Sequence, residues 1–262
     1  MRSILLTLSA VLFTAGTAQA QNFISDRESP QYGVEVRFGP FSPQISSDGR
    51  IREFYRLIYE PPENQDDSIF EYEPLMKSFE LDWYFFNKFG LLGVSGSIGH
   101  WSINGLTRVC PDADDGSTCT PDTVFESEAG STETSLTLVP MTAGLVYKFD
   151  WVKKNIAYIP VVPYAKAGLS YTYWRASANG TRSSRDGLDG SGGNFGYYGT
   201  LGLALNLDWI EPGTSQKART GSGIADSYLF FDANLFQADG FRGNRLDFSD
   251  TFFQAGLSVD FF

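Results

Sequence analysis

The chain has 262 residues, is rich in glycine (27) and aromatic side chains (15%), and carries a formal net charge of −11. Phe, Tyr, Thr, Val and Gly prevail over strong helix formers, which is the composition of strands and turns. The acidic balance argues against nucleic acid and anionic membrane surfaces as partners, and after the N-terminus no run reaches the ~18 to 20 apolar residues that a membrane-crossing helix requires.

Residues 1–20 have the order of a cleavable secretory signal: Arg2, an apolar run over 4–13, then small residues ending in Ala18-Gln19-Ala20. That run is too short to span a bilayer. Cleavage after Ala20 leaves one domain over 21–262, with 19 basic and 31 acidic side chains and a net charge of −12.

Along the mature chain the main signal is period-two alternation, which marks strands with two chemically distinct faces. The first strand is expected over 32–38, where Tyr32, Val34, Val36 and Phe38 alternate with Gly33, Glu35 and Arg37. In the connection that follows, 50–59 is rich in apolar and aromatic residues and precedes Pro61-Pro62. It is expected to cap whatever the strands enclose, ahead of serving as a docking surface. The second strand, 78–85, sets Phe79, Leu81, Trp83 and Phe85 against Ser78, Glu80 and Asp82. The third sets Leu92, Val94 and Ile98 against Gly93, Ser95, Ser97 and Gly99.

Cys110 and Cys119 follow, with eight residues between them in a Pro/Asp/Gly/Thr-rich stretch. In an exported chain they read as one disulfide acting as a staple, because no His or further Cys stands nearby to make a metal site. In the fourth strand Leu136 and Leu138 oppose Thr137. The alternation stops at Pro140 and resumes out of step with Leu145, Tyr147 and Phe149, so a bulge at the proline is expected. The fifth sets Ala165, Ala167, Leu169, Tyr171 and Tyr173 against Lys166, Gly168, Ser170 and Thr172.

The sixth strand is the cleanest. Phe195, Tyr197, Leu201, Leu203, Leu205, Leu207 and Trp209 oppose Gly196, Thr200, Gly202, Ala204, Asn206 and Asp208. The connection 210–224, opened by Glu211-Pro212-Gly213 and closed by Gly221-Ser222-Gly223, has room for a short helix. The seventh strand places Leu229, Phe231, Ala233 and Leu235 opposite Tyr228, Phe230, Asp232 and Asn234, and the eighth ends the chain over 253–261.

Eight is an even number, as single-chain bacterial membrane barrels need. A soluble sandwich alternates too, but three features favour a membrane. The segments, about 9 to 15 residues long, suit a tilted crossing of the hydrocarbon layer. Their polar face is rich in Gly, Ser, Ala and Thr, which suits a narrow lumen. Aromatics gather at strand ends, with Trp83, Trp151 and Trp209 at one rim and Tyr171, Tyr173, Trp174 and Tyr197 at the other. The expected fold is all-β: an eight-stranded antiparallel up-and-down transmembrane β-barrel in the bacterial outer membrane. Connections 39–73, 104–133, 175–194 and 237–249 are mostly long and polar and are expected outside. Those at 87–90, 150–157 and 210–224 are expected in the periplasm.

Projected inward, the charged residues are Glu35, Arg37, Glu80, Asp82, Lys166, Asp208 and Asp232, with Tyr164, Tyr198 and Asn234. Side chains fill so narrow a barrel, and charges inside it must pair. Arg37 and Lys166 are therefore the expected centres of a network that plugs the lumen. The alternative use of the surplus carboxylates is a narrow cation-preferring pore.

No cofactor or metal motif stands out. Asp112, Asp114 and Asp115 lack the regular acidic spacing of a calcium loop. Asn179-Gly180-Thr181 has no force as a glycosylation triplet in a bacterial outer-membrane protein, and the Gly/Ser/Asp-rich 187–193 reads as loop. His100 and Ser102 share a strand face, superficially like the His-x-Ser of barrel-shaped lipid A deacylases. The glutamate such a site needs has only Glu126, Glu128 and Glu133 as nearby candidates, across a long loop, so no enzyme is expected.

Three segments carry a resemblance: Glu80-Leu81-Asp82-Trp83-Tyr84-Phe85-Phe86-Asn87-Lys88-Phe89-Gly90, Val161-Val162-Pro163-Tyr164-Ala165-Lys166-Ala167-Gly168 and Tyr228-Leu229-Phe230-Phe231-Asp232. With the terminal strand they resemble the outer-membrane β-barrel family of myxobacteria and related bacteria. The resemblance implies fold and location and brings no catalytic residues. Some barrels of those bacteria belong to envelope-spanning machines, so a structural or partner-docking role leads. The expected partners are outer-membrane lipid and lipopolysaccharide, the barrel assembly machinery and other envelope proteins. The last strand matches the assembly signal polar-x-Gly-x-x-apolar-x-aromatic with Gln254, Gly256, Val259 and Phe261, so Phe261 and not the terminal Phe262 fills the aromatic slot.

Overall fold

The computed structural model describes residues 29–45, 74–108, 129–150, 160–182, 184–185, 188–210, 212–241 and 246–262. The signal over 1–20, the stretch 50–59, both cysteines with the acidic residues between them, Glu126, Glu128 and Trp151 lie outside the described residues.

Eight long strands form: β1 (Tyr32–Pro40), β2 (Leu75–Phe86), β3 (Leu91–Arg108), β4 (Ala129–Lys148), β5 (Val161–Ala178), β6 (Ser191–Asn206), β7 (Ile224–Gln237) and β8 (Asp250–Phe261). Each is antiparallel to its neighbour in the chain, and β1 pairs with β8 from Tyr32↔Phe261 to Phe38↔Ala255. That last ladder closes the sheet into a barrel, so that over the shared span each strand is paired on both sides and its backbone is satisfied without water.

The faces are inverted relative to a soluble protein. Large apolar side chains point outward, among them Leu201 at 71% and Leu169 at 63% exposed, while Glu35, Arg37, Glu80, Asp82, Lys166 and Asp232 are buried inside. Outward aromatics stack along the wall, as Phe231 does on Phe253 with centroids 5.6 Å apart. Trp83 and Trp209 are exposed near the end that holds both chain termini, and Tyr173 and Tyr197 are exposed nearer the opposite end.

Two local expectations are overturned. No bulge occurs at Pro140: the β4–β5 register runs unbroken from Thr134↔Ala178 to Lys148↔Tyr164, and Met141 and Leu138 pair with β3 in one register. Leu136 and Leu138 face inward with Val146 and Lys148 and are buried. The apparent slip arose because the lumen itself changes from polar to apolar along its length. Trp174 is likewise no girdle residue, since it faces inward and meets Phe248 with centroids 6.4 Å apart.

The wall is uneven in height. β3 and β4 run for 18 and 20 residues, well past the ~9 to 11 that cross a hydrocarbon layer. β1 and β2 stop at Pro40↔Leu75. Above that low side the chain folds inward: Gln44 N–H donates to the Ser249 carbonyl (3.2 Å) and Asp247 N–H to that of Ile45 (3.0 Å). The crossing carries Phe41, Ile45 and Phe248 into the mouth. At the opposite end α1 (Pro212–Ser222) links β6 to β7, opening on a proline whose missing N–H costs a first turn nothing.

Candidate functional site in the lumen

Inward residues from all eight strands stack in layers along the barrel axis. Nearest the chain termini, Lys148 Nζ lies 3.0 Å from Asp260 Oδ1 and 3.4 Å from Glu35 Oε1. It also sits over the rings of Tyr84 (5.2 Å) and Tyr228 (5.5 Å), which add a cation–π attraction. Tyr84 donates its hydroxyl to Asp82 at 2.9 Å.

The middle layer is the densest. Lys166 Nζ contacts Glu35 (2.8 Å), Asp82 (3.5 Å) and, closest, Glu80. Arg37 donates to Glu35 and Glu80 and lies 3.2 Å from Asp232 Oδ2. Tyr164 donates to Asp232 at 2.7 Å, and Asn234 supports the other oxygen of that carboxylate. Glu35 thus touches all three cations, which makes one network of two layers. Its members are almost wholly buried, where an unpaired charge would cost several kcal/mol. Gly202 makes room for it, because a β-carbon there would overlap the Tyr164 ring.

Glu35, Glu80 and Asp82 bring carboxylate oxygens within 4.8 Å of one another, a spacing suited to a metal ion. Here the Lys166 ammonium stands among them as the compensating charge. Acting as a metal site would require that lysine to leave.

A small chamber of about 40 Å³ follows, lined by Arg37, Glu80, Thr142 and Gln254 and by Met76, Phe236 and Phe252 among others. It is roomy enough for about one water molecule. Above it the lumen turns apolar. Phe41, Met76, Trp101, Leu136, Leu138, Phe236, Phe248 and Phe252 form a buried cluster, with Phe41 edge-on to Trp101 (6.0 Å) and Phe252 (5.0 Å). Trp101 is a core residue of this plug.

Of the charged residues predicted to face the lumen, Glu35, Arg37, Glu80, Asp82, Lys166 and Asp232 lie within this network. Asp208 does not. β6 ends at Asn206, and Leu207–Trp209 form a 3-10 turn toward α1, so Asp208 lines a shallow depression beside Thr214 and Ser227. The chain must turn there to reach the Pro212 helix start, which ends the alternation. Lys148 and Asp260 were missed, although both stand between outward residues (Tyr147 and Phe149; Val259 and Phe261) and so obey the same period. In β8, Gln254 and Gly256 face inward, while Val259 and Phe261 face outward. His100 is exposed on the outer face, with Ser102 on the same side, and Ser102 Oγ lies 3.2 Å from Thr137 Oγ1.

An apolar outer belt around a filled polar interior is the organisation of an integral outer-membrane β-barrel, and this chain is one, crossing the membrane with all eight strands. No protein-family model and no curated protein matches the chain. Among solved structures it is similar to the outer membrane protein OprG from Pseudomonas aeruginosa, at 11% identity over 90% of this chain and 99% of that one, with a TM-score of 0.45. It is also similar to Ail, the attachment invasion locus protein of Yersinia pestis (10%, 88% and 95%, 0.37). A third is the N-terminal β-barrel domain of P. aeruginosa OprF (11%, 89% and 98%, 0.31).

Proposed function

We propose that this is a plugged, non-conducting barrel that serves the cell envelope as a structural or partner-docking component. One observation carries the reading: two barriers of different chemistry stand in series in the lumen, an ion-paired layer and an aromatic plug. A hydrated ion would have to break buried salt bridges and then cross a dry constriction. Planar-bilayer recording of the purified protein tests this. Absence of steady single-channel steps is expected, and reproducible steps would refute it.

The docking half of the proposal rests on β3 and β4, which carry the wall beyond the membrane and offer a partner a rigid platform. Specific copurification of another envelope protein with the solubilised barrel is the expected outcome. Outer-membrane lipid and the assembly machinery are further partners in this reading, the latter engaging β8. The likeness to the myxobacterial barrel group belongs to the same proposal, as do removal of 1–20 and the Cys110–Cys119 staple. Enzymatic chemistry is no part of this reading: Ser102 Oγ lies 3.2 Å from Thr137 Oγ1, and unchanged lipid A in overproducing cells is expected.

A second reading keeps one specific support. Within the network three cations (Arg37, Lys148, Lys166) face five carboxylates (Glu35, Glu80, Asp82, Asp232, Asp260). That surplus gives any conducting state a preference for cations.

A further inference from the structure

On the inner face of β8 one polar group is left over, and the neighbouring side chains decide which. The Asp232 carboxylate, 3.2 Å from Arg37, can only accept hydrogen bonds. Asn234 must therefore turn its amide nitrogen toward it (Nδ2 to Oδ1, 2.6 Å), which leaves the Asn234 carbonyl oxygen to accept from Thr200 at 2.7 Å. The same nitrogen donates to Gln254 Oε1 at 3.3 Å. Each step fixes the next. Gln254 is held with its oxygen toward Asn234, and its Nε2 is buried with no acceptor among the described residues. An amide donor buried in that condition is costly.

Glu80 on β2 is left over in the opposite sense. Arg37 and Lys166 both donate to its Oε1, and Oε2 has no hydrogen-bond or ion-pair partner among the described residues. Gln254 and Glu80 both line the chamber of about 40 Å³ between the ion-paired layer and the aromatic plug. A donor in need of an acceptor and an acceptor in need of a donor thus border one small space. An anion there would satisfy Gln254 but be repelled by Glu80, and a metal cation would do the reverse. Water accepts on one side and donates on the other, and the volume suits about one molecule.

We propose that the chamber is a built water site, in which one ordered water accepts from Gln254 Nε2 and donates to Glu80 Oε2. The Ser97 and Thr142 hydroxyls, bonded to each other at 2.6 Å, line the same chamber and offer the water further partners. The bridge runs from β8 to β2 past the intervening β1, so it ties the strand that closes the barrel to the ion-paired layer. Gln254, the polar position of the assembly signal, thereby has a second task in the finished barrel: it hydrates the one face of Glu80 that no cation covers. The site rests on the plugged reading only in lying between the two barriers.

Crystals of the full barrel that diffract well enough to show ordered water test the site, grown from the wild type and from Gln254→Met, which keeps the side-chain length but removes the donor. A density peak within about 3 Å of both Gln254 Nε2 and Glu80 Oε2 is expected in the wild type, and its loss in Gln254→Met. A dry chamber in the wild type would overturn the site, as would a peak that persists in the variant. An anomalous peak at the same place after a bromide soak would assign an anion instead and overturn it equally. Heat-modified gel mobility verifies that the variant is folded. Should it not fold, magnetisation transfer between water and the Gln254 amide protons of the wild type in micelles decides: a long-lived contact is expected, and its absence would sink the site. Steady channel conductance with the water peak in place would remove the plugged reading and leave the site standing.

Discussion

Lys166 meets three carboxylates at once, so its removal leaves negative charges facing one another without a counter-ion. Lys166→Met should lower the stability of the reconstituted barrel by about 3–5 kcal/mol, the usual cost of breaking a buried pair from one side. The fall is expected as a lower urea midpoint, and Lys166→Met/Glu80→Gln should recover part of it because the double change removes one of the stranded charges. Gly202 offers a steric counterpart. Gly202→Ala presses on the Tyr164 ring that supports Asp232, and overpacking of this kind costs about 1–3 kcal/mol. Tyr164→Phe/Gly202→Ala should relieve it only in part, since removing the hydroxyl (2.6 Å from the new β-carbon) leaves ring carbons at 2.4 and 2.7 Å.

Among the elements, β8 has the most to do. It pairs with β7 and closes the barrel against β1. Phe261 ends both ladders and faces outward, whereas Phe262 lies past the strand, its N–H donating to the Gly223 carbonyl at 3.1 Å. Phe261→Ser should therefore reduce outer-membrane yield more than Phe262→Ser. Equal yields of the two would contradict the register given to the assembly signal. The plug is built from parts of several elements, with Trp101 at its centre. Trp101→Ala should destabilise the barrel by about 3–5 kcal/mol, as truncation of a large buried aromatic does, again read from the urea midpoint. Most strand faces were legible because one residue in two is apolar over long runs. β4 misled because its inner face runs Thr134, Leu136, Leu138, Pro140, then Thr142 and Gly144, then Val146. Period-two reading assigns apolar residues to one side, and here the apolar side changes partner from lipid to plug.

For the molecule as a whole, the ion layer and the plug are barriers in series, so neither deletion alone should open a path. Trp101→Ala is expected to remain electrically silent in planar bilayers, and steady conductance from it would show that the ion layer does not seal. The sequence by itself determined the strand number, the antiparallel up-and-down order, the membrane-facing row and six of the charges in the lumen. Each of these follows from alternation, whose period is imposed by backbone geometry and needs no knowledge of what lies across the barrel. Only the tertiary structure decided that Lys148 and Asp260 join the network, that Asp208 leaves it, and that 41–45 with 246–249 cap the mouth. Those are questions of height along the barrel axis, which registers between strands fix and a single strand's pattern does not contain.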